Sequence, residues 1–369
     1  MPKYIDLLRN HQPGKPGNPS PDVQHGDEEL LDIPSMPAEK SSAQKKKAPK
    51  TADRAKTQGR EIITDPDIWL DHCIRIMMSF LKAASNRKVV PIEKLWRHLK
   101  PQVAAVISDP KQLSALELKV SEDTHNIREI SPEFGGMLEK SMNMLLLSIK
   151  VGLQLRMSEQ SILSLLLAGM LHHAGLARVP IAIRQKSSAL TRDERLSIRN
   201  ATHEGVEYLR ACGIGDADTL LAIEQSQERI DGSGPLGLSG AEISRMGRIV
   251  GLLSFFEALI HYRPYRQRML PRDAIRDIIL HHKQSFDTNL LKALIDAASL
   301  YPIGTYVQLN SGDIGQVIHI HPRLPLRPIV MLSMDRAGHP IDPREVDLKQ
   351  QTTLLIERCM YAEDIEKSL

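Results

Sequence analysis

Two adjacent histidines stand in the stretch AGMLHHAGLARVP, residues 168–180, after an apolar run and before a glycine and a proline. Imidazole nitrogens ligate divalent metals and move protons near neutral pH. His172 and His173 are therefore the first residues here whose type and spacing could do chemistry. Two further pairs recur along the chain. His281 and His282 fall in a helical stretch and read as a solvated face, whereas His319 and His321 share one face of a strand and could chelate. Cys73, Cys212 and Cys359 are far apart, form no CxxC pair and give no thiol metal motif. That cysteine usage suits a reducing cytoplasm, the expected location.

The elements that must position these groups can be read from composition and periodicity. With 369 residues, 41% of them hydrophobic, the chain can bury a sizeable core. Aromatic residues are only 4%, so aliphatic side chains and Met must fill it. A net charge of +3 selects no partner, and nothing marks a specific nucleic-acid interface. The N-terminus lacks the apolar core of a signal peptide, and charges interrupt every apolar run, so no membrane span is expected. Residues 1–60 are rich in Pro, Ser, Lys and Asp and read as a disordered basic tail; "KSSAQKKKAPKTADRAK" is a solvated linker. Helical spacing starts near residue 65. "DPDIWLDHCIRIMMSFLKAAS" puts Ile68, Trp69, Cys73, Ile76, Met77 and Phe80 on one side of a helix, within a helical N-terminal subdomain over 61–134. "EKSMNMLLLSIKVGLQLRM" and "SEQSILSLLLAGMLHHAG" are apolar helices, the second with Ser158 as N-cap, and further helices are expected at 191–211, 216–228, 241–261, 271–283 and 287–299. At Tyr301 the texture changes to alternation across turns, "YPIGTYVQLNSGDIGQVIHIHP" and "PIVMLSMDRAGHPI", which predicts a small β-rich appendage over 301–369.

Several stretches now line up with one family. AGMLHHAGLARVP resembles the "LLHDIGKIGIP" signature of the HD-GYP phosphohydrolases, which cleave cyclic di-GMP with two or three metal ions held in a helical bundle. "LTRDERLSIRNATHEGVEYL" resembles the helix carrying their "H..G" ligand, and "SQERIDGSGPLGLSGAEI" resembles "HHERYDGSGYPxGLxGxxI". "RIVGLLSFFEALIHYRPYR" is similar to "RILAVADVFDALTSDRPYR", "EKSMNMLLL" to "EHSVNVALL", and "YPIGTYVQL" to the start of the family's β-rich tail. The resemblance implies an HD-type helical domain over 135–300 inside an all-α fold.

The departures bear on function. The first ligand histidine of the resemblance falls at Lys140, the HD aspartate at His173, the paired histidines at Ser226 and Gln227, and the late aspartate at Ser254. Only His172 and His203 keep the family residue; Leu176 replaces the lysine, and the GYP tyrosine is deleted because Gly234 runs directly into Pro235. A charged ammonium has no lone pair to give a metal, and both bridging carboxylates are gone. The mapping thus predicts no catalytic residues, no bound metal and a metal-free polar network of Lys140, His172, His173, His203, Ser226, Gln227 and Ser254. The alternative is a single Zn, Fe or Mn ion on His172, His173 and His203. Arg178, Arg184, Arg229, Arg263 and Arg266 are candidate phosphate contacts, or ordinary ion-pairing arginines. The functional expectation is a catalytically degenerate regulatory or protein-interaction module in cyclic-dinucleotide-related bacterial signalling. The competing expectations are an active phosphodiesterase with a rebuilt site and a cyclic dinucleotide receptor that does not cleave.

Overall fold

The computed structural model describes residues 65–109, 112–113, 116–117, 120, 127, 129–186, 188–261, 269–298, 300–321, 324 and 326–360. The expected tail over 1–60 and the candidate phosphate contacts Arg263 and Arg266 lie outside them.

Helix α1 (Pro66–Ser85) and α2 (Ile92–Ser108) precede the central pair α3 (Gly135–Gln154) and α4 (Glu159–Leu171). Ser158 caps α4 by accepting from the Ser161 amide, as its residue type predicts. A 3-10 turn at Ala174–Arg178 and the short α5 (Ile181–Arg184) lead into α6 (Arg192–Ala211). Thr191 and Glu194 form a reciprocal capping box at the start of α6. Then follow α7 (Ala217–Glu224), α8 (Arg245–Ile260), α9 (Pro271–His281) and α10 (Thr288–Ala297).

Helices α3, α4 and α8 are the buried centre; Leu138, Leu145, Leu165, Leu166, Val250 and Leu253 are fully shielded. By length and composition Glu159–Arg178 could cross a membrane, contrary to the reading that no stretch is long enough, but 78% of it is buried inside the bundle. Helix α1 adds Trp69, Cys73, Met77 and Phe80 to the same core, so α1 and α2 share one apolar interior with the bundle. Ile68, placed by periodicity on the inner face, is 56% exposed, and Leu70, Ile74 and Leu81 are inside instead. Two backbone ties fasten this part: the Tyr208 hydroxyl donates to Lys88 O, and the Ile92 amide donates to Cys212 O.

The β-rich region is one antiparallel sheet of β1 (Tyr306–Leu309), β2 (Ile314–His319), β3 (Ile329–Met334), β4 (Pro340–Asp347) and β5 (Ile356–Met360), in the order β4-β3-β2-β1-β5. Val307, Leu309, Val317, Val330 and Leu332 point into it on alternate positions.

Candidate functional site

His172 caps the C-terminus of α4 and is 6% exposed. Its Nδ1 lies 2.6 Å from Gly169 O, and a carbonyl only accepts, so Nδ1 carries the proton. The remaining nitrogen, Nε2, then accepts from the Ser254 hydroxyl on α8 at 3.1 Å. Burial, aided by the nearby Lys140 cation, pushes the His172 pKa down to about 4, against the opposing pull of Gly169 O and Glu257. His172 is thus a neutral imidazole with both nitrogens engaged. The His173 ring lies against it, centroids 3.7 Å apart.

The other mapped residues divide. Ser226 is buried, and its carbonyl lies 3.1 Å from where a Cβ on Gly251 would stand, one turn before Ser254 on α8. Gln227 donates to Thr202 Oγ1 at 2.8 Å on α6. His203 departs from the expected network: its side chain is 70% exposed and its Nδ1 lies 3.4 Å from Glu224 Oε1. Its position on the helix was legible, but the helix turns that face outward. The proposed one-ion site on His172, His173 and His203 therefore does not converge. Among the described residues no group of three or more His, Cys, Asp or Glu side chains could hold a metal ion.

The arginines have structural tasks. Arg184 donates to Val179 O, Glu133 O and Glu133 Oε1 and lies over the Phe134 ring, joining α5 to the start of α3. Arg229 donates to Glu228 O and packs over Phe255 and Phe286. Arg178 lies over the Tyr208 ring. Strand β2 ends at His319, so His319 and His321 do not share a strand face as expected; His321, past its end, sits with Nε2 2.9 Å from Asp347 Oδ1 and its ring edge-on to His319. His281 is exposed, but His282 is not a solvated residue: it packs edge-on to Phe255, with Asp277 3.7 Å away.

Sequence reasoning missed a second polar cluster beside the first. Glu139 on α3 and Glu257 on α8 are buried carboxylates, and His261, just past α8, lies between them with Asn143 alongside. The signal was available: Glu257 is the one carboxylate within the apolar run of α8, and charges inside such runs demand partners.

The loop after α7 keeps a tight form without its tyrosine. Buried Glu228 accepts from the Leu236 and Leu238 amides, and its Cα leaves only 2.6 Å for a Cβ at Gly234, so glycine is required there. Asp231 accepts from the Ser233 amide and the Ser285 hydroxyl. A shallow groove of about 540 Å³ opens elsewhere, between α6 and α7, floored by Val206, Ile214 and Leu220; it shares none of the His172 cluster.

These features identify the class of protein. Residues 124–290 match the HD domain family, and residues 306–368 match the KOW domain associated with HD domains. Residues 124–290 thus carry an HD domain. More narrowly, the chain resembles cyclic di-GMP phosphodiesterases and shares its fold with an HD-GYP protein. It is 32% identical over 204 residues to the cyclic di-GMP phosphodiesterase PA4108 of Pseudomonas aeruginosa, covering 55% of this chain and 49% of that protein. It is 25% identical over 230 residues to the cyclic di-GMP phosphodiesterase PdeB of Borreliella burgdorferi, covering 61% and 60%. The chain therefore spans about half to three fifths of these relatives. Bd1817, a HDG"Y"P protein from Bdellovibrio bacteriovorus, shares the fold with a TM-score of 0.50 at 18% identity, over 65% of this chain and 73% of that one.

The residues present do not fit the metal centre that the family resemblance implies. The nitrogen of His172 that a metal would need already accepts a serine hydroxyl, a lysine ammonium stands nearby, and the second histidine of the mapping faces solvent.

Proposed function

We propose that this chain is a catalytically silent HD-GYP-like module that regulates by binding, with a protein partner, in cyclic-dinucleotide-related signalling. One observation carries the reading: side chains at the mapped ligand positions are engaged by other protein groups. Ser254 caps His172, Gln227 is spent on Thr202, and His203 is turned to Glu224. Metal-assisted phosphodiester cleavage needs a bound ion to activate water and to neutralise charge on the phosphoryl oxygens. A receptor reading loses support because Arg184 and Arg229 are occupied within the fold.

A second reading, an active phosphodiesterase with a rebuilt site, is favoured by the likeness to PA4108. The full chain, incubated with cyclic di-GMP and Mn²⁺ or, anaerobically, Fe²⁺, decides between them. No turnover above a protein-free control is expected. Turnover that survives repurification and disappears in His172→Ala would replace the first reading by the second.

A further inference from the structure

Two carboxylates are buried beside the His172 cluster: the Glu139 side chain is 7% exposed and that of Glu257 1%. A carboxylate taken out of water is tolerated only with a compensating charge and hydrogen bonds. His261 stands between them. Its Nδ1 is 3.1 Å from Glu257 Oε1 and 3.1 Å from Glu257 O, and its Nε2 is 3.8 Å from Glu139 Oε1. It is also the C-cap of α8, where the helix dipole favours a cation. The Asn143 amide nitrogen Nδ2 lies 2.7 Å from Nε2, and turning the amide over presents its oxygen there instead. A ring protonated on both nitrogens, with the Asn143 oxygen turned towards Nε2, donates to Glu257 O and to Asn143 and places its charge within 4 Å of both carboxylates.

We propose that His261 is held as an imidazolium bridging Glu139 and Glu257, an internal cation that clamps α8 to α3 where the metal-binding scheme has lapsed. This rests on the reading that the site holds no catalytic metal. The charged groups facing His261 among the described residues are Glu139 from α3 and Glu257 from α8. Lys140, next along α3, and Glu257 act in turn on His172. Burial opposes the charge on His261, but the two carboxylates outweigh it and raise the pKa above its ordinary 6.5. With a raised folded-state pKa, the stabilisation is fully present below pH 6.5 and is lost as pH rises through the folded-state value.

The test is histidine-ring ¹⁵N–¹H correlation on the full chain from pH 6 to pH 9, assigned with His261→Gln, together with melting curves. Both His261 nitrogens are expected to show protonated shifts at pH 7.5. The wild-type melting temperature should fall towards pH 9 more steeply than that of His261→Gln. Glu139→Gln should shrink the effect of His261→Gln. If His261→Gln does not fold, His261→Asn supplies the assignment of the wild-type spectrum. A ring with one bare nitrogen at pH 7.5, or parallel pH profiles, overturns the proposal. Metal-dependent hydrolysis of cyclic di-GMP would instead overturn the functional reading, so the two failures are distinguishable.

Discussion

Gly175 is where the HD-like turn touches helix α6, and it offers a sharp test of why the scaffold persists. A Cβ built there would stand 1.6 Å from Ala201 O, 2.6 Å from Ala201 C and 3.0 Å from the Gly205 amide nitrogen. All three are backbone atoms, so no side chain can swing away. To reach even 3.0 Å, α6 must retreat by about 1.4 Å from a turn whose own Ala174 and Ala177 are buried in the core. Overpacking typically costs 1–3 kcal/mol and occasionally more. With only backbone to move, Gly175→Ala should cost at least about 3 kcal/mol, a fall of roughly 6 °C or more in melting temperature. Gly136 is the control: it is exposed on α3, and its Cβ would meet nothing within 4 Å. Gly136→Ala should gain about 0.5 kcal/mol from reduced unfolded-state entropy. Circular-dichroism melts of the two variants at one pH measure both. A Gly175→Ala protein melting within 2 °C of the wild type would refute the close-approach argument.

Three further outcomes follow from other sites. His172 has a folded-state pKa lowered to about 4, so the unfolded chain takes up the proton first as pH falls below 6.5, and stability drains away between those values. Lowering pH from 7 to 5 should remove about 2 kcal/mol through this group; the loss should be smaller in His172→Gln, and equal pH dependence in both proteins would contradict the neutral imidazole. Elemental analysis of the purified chain should find less than one equivalent of iron, manganese or zinc, and two or more equivalents would overturn the polar-network reading. Glu228→Ala leaves the Leu236 and Leu238 amides without their carboxylate and should cost about 1–3 kcal/mol; an unchanged denaturation midpoint would show that water replaces it.

The fold was legible where local rules and packing agree. Ser158 announced a helix start by residue type, and the change to alternation at Tyr301 announced the sheet. Faces were less legible. Ile68 and Trp69 are neighbours in one apolar stretch, yet only Trp69 is inside, because a stripe about 100° wide does not say which edge the partner helix covers. The same limit hid the outward turn of His203: linear correspondence fixes a position along α6, whereas its rotation follows from Gly205 and Ala201 seating against Gly175.

The two polar clusters differ in how they could be found, and that difference explains the state of the site. His172, Ser254 and Lys140 were reached by mapping the ligand positions of the family signature. Glu139, Asn143, Glu257 and His261 lie outside that mapping and were found only by asking how buried charge is balanced. A bundle interior that gives up divalent ions must still neutralise any carboxylate left within it. Here one imidazole is neutral because burial and Lys140 outweigh Glu257, while another, nearby, is drawn towards the charged form by two carboxylates. The same residue type takes opposite roles through its neighbours. Restoring Lys140→His alone should therefore not recover metal binding, because it removes a cation while leaving Ser254 on the nitrogen of His172 and His203 turned to solvent.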